Sequence, residues 1–149
     1  MKYYLAYGSN LNVNQMKHRC PDAKRVCSFW LQDYQLIFRR GYLTVEPTPG
    51  TAVPCIVWEI SEKDEKRLDR YEGFPTFYRK ETVSIDLNRL IGGEPKPAEA
   101  LIYIMNDGFP AEKPSMQYWQ TVVDGYKDSR FDIAYLDWAL DNTTEAMQK

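Results

Sequence analysis

The chain reads as an α+β protein: a small, mixed, mostly antiparallel β-barrel flanked by helices. Three observations carry that expectation. Short apolar or alternating segments fill most of the first sixty residues. One well-capped helical segment follows them, and two more close the chain. There is no regular β–α alternation and no G-x-G-x-x-G phosphate loop, which argues against a doubly wound parallel sheet. The 149 residues suit a single domain spanning 1–149, without repeat, low-complexity tract or linker.

The elements follow in order. Lys2 to Tyr7 reads as an aromatic-rich strand, broken by Gly8-Ser9-Asn10. Asn12 is suited to cap a short helix ending near Cys20-Pro21. Ala23 to Leu31 and Tyr34 to Arg40 read as two strands, with Gln32-Asp33 between them as a turn. Tyr42 to Glu46 is a further strand, and Thr48-Pro49-Gly50 punctuates the chain. Val53 to Ile60 is apolar, with Pro54 pointing to an edge or a strand start. Ser61 to Glu72 is the clearest helix. Ser61 and Asp64 resemble a capping box, Glu62 and Lys66 form an i,i+4 pair, Leu68 and Tyr71 give a narrow apolar face, and Gly73 stands at the C-terminal stop. Tyr78 to Leu87 and Ala98 to Met105 read as strands around a loop, Gly92 to Pro97. Pro114 to about Lys127 and a segment capped by Asp132, running to about Asn142, read as helices.

Composition excludes several function classes. Apolar residues make up 44% and charged residues 27%, with a net charge of −2, so there is no electrostatic footprint for nucleic acid or an anionic membrane. No apolar stretch approaches the roughly 18 residues of a membrane span, and Met1 to Tyr7 is too short for a secretory leader. Cys20, Cys27 and Cys55 are odd in number and form no C-x-x-C pair. The expected compartment is therefore the reducing cytoplasm. His18, the only histidine, lies on a polar stretch and reads as a surface residue. It offers neither a zinc spacing nor a Ser/His/Asp arrangement. Arg39-Arg40 and Glu62 to Arg70 read as solvated faces. Trp119, Tyr135 and Trp138 are candidates for core or for a homodimer interface.

Two places can carry chemistry. In Ala6-Tyr7-Gly8-Ser9-Asn10-Leu11 a strand gives way to a helix across a glycine. Such a junction can present backbone N–H groups that hold a carboxylate or a developing oxyanion; the same three residue types also make plain turns. The second is Asp69 to Tyr78, where Glu72 ends a helix among Tyr71, Phe74, Phe77 and Tyr78. The helix C-terminus and aromatic surroundings both push a carboxyl pKa upward, toward the range useful for acid/base catalysis. Equally, Glu72 reads as an exposed residue ending a charged helix.

Taken together, Tyr7 to Leu11 after an N-terminal strand and Tyr71-Glu72-Gly73 followed by Tyr78 resemble the signature segments of the γ-glutamyl cyclotransferase family. Leu31-Gln32-Asp33-Tyr34, Val57-Trp58 and Pro114 to Tyr118 are similar in order and spacing, so the resemblance covers nearly the whole chain. Met116 departs from it, standing where a second proline is often found. The resemblance implies a small mixed β-barrel with helices outside. It implies release of 5-oxoproline from a small-molecule γ-glutamyl amide, with no metal or cofactor. It implies Glu72 as the acid/base residue and Ala6, Tyr7, Gly8, Ser9, Asn10, Leu11, Tyr78 and Tyr118 as substrate-binding residues. The alternative from another class is a non-catalytic sensor that uses the same cavity for a γ-glutamyl or 5-oxoproline-like metabolite.

Overall fold

A computed structural model describes residues 1–88 and 93–149. The elements are β1 (Lys2–Ala6), α1 (Val13–Arg19), β2 (Lys24–Arg39), β3 (Tyr42–Ile60), α2 (Glu62–Glu72), β4 (Tyr78–Asp86), β5 (Pro97–Met105), α3 (Met116–Ser129) and α4 (Ala134–Met147). They form one α+β arrangement around a five-stranded sheet of order β2-β3-β1-β5-β4. All strand pairs are antiparallel except β1 with β5. β1 is therefore central, with Leu5 opposite Val57, and Leu5, Val57, Ile60 and Ile102 are all fully buried. The expected loop from Gly92 to Pro97 starts outside the described residues, and β5 already begins at Pro97.

The sheet curls without closing into a barrel, because β2 and β4 remain its two edges. Side chains join the first residues of β3 to the ends of β5 and β4 where a barrel would use a ladder. Thr44 Oγ1 accepts from Met105 N at 3.0 Å, and the Tyr78 hydroxyl donates to Leu43 O at 2.7 Å. This curl creates a concave face open toward the ends of β1 and α2.

The four expected strands between Ala23 and Ile60 are two long ones. Gln32-Asp33 is a bulge within β2, with Asp33 at φ 64°, and pairing runs on from Leu31↔Val53 to Arg39↔Tyr42. The reason lies in Asp33 itself. Its carboxylate accepts from Gly50 N at 3.0 Å, which anchors the Thr48-Pro49-Gly50 irregularity of β3 in place of ending the strand. Pro54 fits the interior of β3 because β1 ends opposite Ile56, leaving Pro54 with β2 alone beside it.

The helix ends follow the side chains that cap them. Asn12 accepts from Gln15 N to start α1. Ser61 and Asp64 form the full reciprocal capping box of α2, and Gly73 ends it in the left-handed region at φ 66°. Ser115 caps α3 one residue beyond Pro114, and the Asp132 carboxylate accepts from Ala134 N at the start of α4. Glu62 and Lys66 form no ion pair among the described residues; Asp64 pairs with Arg67 at 3.0 Å instead. α3 crosses close over the turn that follows β1. Gly125 makes this possible: a Cβ there would sit 2.8 Å from Asn12 N and 2.9 Å from Leu11 Cβ. Trp119 packs on Phe38, whereas Trp138 stays 54% exposed. No helix among the described residues is long and apolar enough to cross a membrane.

Candidate active site

α2 carries Glu65, Asp69 and Glu72 at i, i+4 and i+7, one face of the helix. The first two are tied down. Glu65 bonds Lys2 at 2.8 Å and Lys80 at 2.9 Å; Asp69 bonds Lys80 at 3.0 Å and accepts from the Tyr103 hydroxyl at 2.6 Å. These contacts fix α2 against β4 and β5. Glu72, one turn on, reaches a cavity of about 480 Å³ and has no hydrogen-bond or ion-pair partner among the described residues.

The cavity is unusually rich in phenols. Tyr4, Tyr7, Tyr78, Tyr103 and Tyr118 line it, with Tyr42 and Tyr71 nearer its mouth. Desolvation raises the Glu72 carboxyl to about 7, and the Arg19 guanidinium opposes that rise. Burial also drives the hydroxyls of Tyr4, Tyr7, Tyr78 and Tyr118 upward, and the Glu72 carboxylate pushes all four further the same way. One carboxylate is thus within electrostatic reach of four phenols that stay protonated at neutral pH.

The direction of each phenol's hydrogen bond decides what it can still offer. Tyr7 donates to Tyr103 O at 2.6 Å and Tyr78 donates to Leu43 O, so both have lone pairs to spare. Tyr118 accepts from Leu43 N at 3.2 Å, and Tyr4 accepts from Asn10 Nδ2 at 2.9 Å, so both keep their own proton for another acceptor.

The segment after β1 supplies the opposite wall. Ser9–Leu11 is a single 3₁₀ turn, closed by Leu11 N to Gly8 O and Asn12 N to Ser9 O. Among the described residues the backbone N–H groups of Gly8, Ser9 and Asn10 donate to no acceptor. The turn is held from outside: the Trp58 indole donates to Asn10 O, Arg19 to Asn10 Oδ1, and Asn12 Nδ2 to Thr121 O. Ser9 Oγ and the Tyr71 hydroxyl share a bond of 2.9 Å.

Seven of the nine residues expected at the site thus meet at one cavity: Tyr7, Gly8, Ser9, Asn10, Glu72, Tyr78 and Tyr118. Ala6 and Leu11 do not line it. Ala6 is buried in the ladder opposite Ile56, and Leu11 is fully buried under Gly125 of α3. Arg40, expected on a solvated face, is exposed but lines the cavity mouth. Tyr4 and Tyr103 also line the cavity; in sequence each is indistinguishable from a core strand aromatic. Cys20 is unsuited to nucleophilic attack, since burial pushes its thiol up to about 12. No three His, Cys, Asp or Glu side chains converge as metal ligands among the described residues.

Residues 4–121 match the family described as Gamma-glutamyl cyclotransferase, AIG2-like. The chain belongs to this family. It is 28% identical over 143 residues to the Gamma-glutamylcyclotransferase of Homo sapiens, covering 89% of this chain and 73% of that protein. The Mus musculus Gamma-glutamylcyclotransferase matches at the same identity and coverage. A solved Gamma-glutamyl cyclotransferase superposes with a TM-score of 0.79 at 25% identity, over 93% of this chain and 85% of that one. The crystal structure of an uncharacterized Homo sapiens protein gives 0.78 over 99% and 98%, and at 23% identity shows the fold alone.

Proposed function

We propose that the chain is an intramolecular cyclotransferase that releases 5-oxoproline from a γ-glutamyl amide, with Glu72 as general acid and base. The observation that carries this reading is the unpaired Glu72 carboxylate, raised to about 7 in a cavity of protonated phenols. It is poised to ionise near neutral pH, where its neighbours cannot. Membership of the family supports the reaction type.

The chemistry sets each role. The α-ammonium of the glutamyl group loses a proton to Glu72. The freed amine attacks its own γ-carbonyl carbon, and a five-membered tetrahedral intermediate forms. Its oxyanion takes hydrogen bonds from the free N–H groups of Gly8, Ser9 and Asn10. The intermediate collapses with cleavage of the original C–N bond: Glu72 returns the first proton to the departing nitrogen, then takes the second proton from the attacking nitrogen as that becomes the lactam N–H and passes it to the same amine, which leaves as an ammonium. The products are the lactam and a free amine, with no water consumed. Tyr78, whose proton is committed to Leu43, accepts from the α-ammonium; Tyr118, whose proton is free, donates to the glutamyl carboxylate. Holding a flexible glutamyl chain folded, so that amine meets carbonyl, supplies much of the rate.

Product identity tests this reading. Incubation with a γ-glutamyl amide is expected to yield 5-oxoproline and one equivalent of free amine. Glutamate as the product would mean hydrolysis by water. Stabilisation by 5-oxoproline in thermal unfolding, without turnover of any γ-glutamyl compound, would mean the sensor role.

A further inference from the structure

Arg40 differs from the other arginines near the cavity. Arg19 donates to Asn10 and Gln15, and Arg39 is paired with Glu46 at 3.1 Å. The Arg40 guanidinium meets no carboxylate or other acceptor among the described residues. Its position is nevertheless fixed. Arg40 and Gly41 are the two-residue turn joining β2 to β3, at φ 51° and 82°, the positive pair that a type I′ hairpin demands. Arg40 N donates to Pro110 O at 2.9 Å. Its guanidinium lies 5.5 Å from the ring centre of Phe77 and 5.7 Å from that of Phe109, within cation–π range.

Arg40 also stands on a boundary. It lines the Glu72 cavity and, with Tyr42, Tyr71 and Tyr118, an adjoining groove of about 590 Å³. The rest of that groove is polar, with Arg19 and Lys113 opposed by Glu112 alone. Its charge balance favours an anion. The glutamyl half of a substrate must sit at the Glu72 end, where its amine is deprotonated. What lies beyond the γ-amide nitrogen is then directed past Tyr71 and Tyr118 into the groove.

We infer that this groove receives the leaving-amine half of the substrate and that Arg40 binds a carboxylate carried by it. The substrate class is accordingly a γ-glutamyl amino acid or γ-glutamyl peptide, in preference to a γ-glutamyl amine. The inference rests on the cyclotransferase reading. Arg40 is a forked, always-charged donor without a competing partner, suited to a carboxylate placed one carbon from the leaving nitrogen.

The test compares γ-glutamyl-alanine with γ-glutamyl-ethylamine, which differ only by that carboxylate. In wild-type protein kcat/KM for 5-oxoproline release is expected to favour the alanine compound by about tenfold or more, the worth of a charged hydrogen-bonded pair. In Arg40→Gln that ratio is expected to fall close to one. Because it is a ratio within one preparation, partial unfolding of the variant does not change it. An unaltered ratio in Arg40→Gln, or equal losses on both substrates, would overturn the assignment; equal losses would place Arg40 on the shared glutamyl carboxylate. Release from neither substrate by the wild type would overturn the cyclotransferase reading, and this inference with it.

Discussion

The Arg19 guanidinium has its carbon over the ring of Tyr71, the residue before Glu72, 3.3 Å from the ring centre. From there it also bonds Asn10 in the opposite wall and draws the Glu72 carboxyl downward against the effect of burial. Replacing Arg19 with methionine keeps bulk over the ring and removes the charge. The acid limb of the kcat/KM–pH profile, expected near 7 in the wild type, is expected to move upward by about half a unit or more in this variant. A merely structural role would lower kcat/KM without moving the limb.

Glu72 carries an opposite effect on stability. Its folded-state carboxyl is raised above its ordinary value, so the folded form binds the proton more tightly. Below about pH 4.5 the group is neutral folded or unfolded and costs nothing; as pH rises through 7 its ionisation destabilises the fold. Glu72→Gln is therefore expected to unfold at a higher temperature than the wild type at pH 8, by an amount worth about 1–2 kcal/mol after allowing for its partial exposure, and to lose that advantage at pH 4. Thermal unfolding at the two pH values checks this. A variant less stable at pH 8 would contradict it.

Gly125 couples α3 to the loop of free amides. A Cβ at this position overlaps the backbone of Leu11 and Asn12, atoms that cannot rotate away. Gly125→Ala gains about 1 kcal/mol of helix propensity yet is expected to lose a net 1–3 kcal/mol, roughly, through overpacking. Its kcat/KM is expected to fall as well, because the displaced segment carries Gly8 to Asn10. A melting temperature at or above the wild type's would show that the close approach is not required.

The two phenols on Leu43 are expected to separate. Tyr78→Phe leaves the Leu43 carbonyl without its partner in a buried position and costs about 1–3 kcal/mol of stability. Tyr118→Phe removes a donor whose proton is free for the substrate, so it is expected to lower kcat/KM by about tenfold or more with a smaller change in melting temperature. Steady-state kinetics and thermal unfolding on both variants check this, and the reverse pattern would exchange their roles.

Much of the helical framework was legible because its signals are local. The Asn12 cap, the Ser61–Asp64 box and the Gly73 stop each act within a few residues. The long β2–β3 hairpin was not, since its continuity depends on the Asp33 carboxylate reaching Gly50 from across the pair. In the same way, Glu72 and Gly8 to Asn10, which the structure gathers at one cavity, stand in two short segments that could be singled out locally. Tyr4, Tyr103 and Arg40 enter the site only through the curl of the sheet and the turn at Arg40-Gly41, which no local pattern announces. The expected α+β fold holds, with its sheet curled but not closed: Thr44 and Tyr78 bridge β3 to the ends of β5 and β4 with side chains, and β2 and β4 do not pair with each other among the described residues.

The role of Glu72 is tested by 5-oxoproline release from γ-glutamyl-alanine by wild-type protein and Glu72→Gln, with both shown to be folded. Release by the wild type is expected, with a loss of about a hundred- to ten-thousandfold in the variant, the usual worth of a general acid/base group. Release by folded Glu72→Gln at close to the wild-type rate would contradict it.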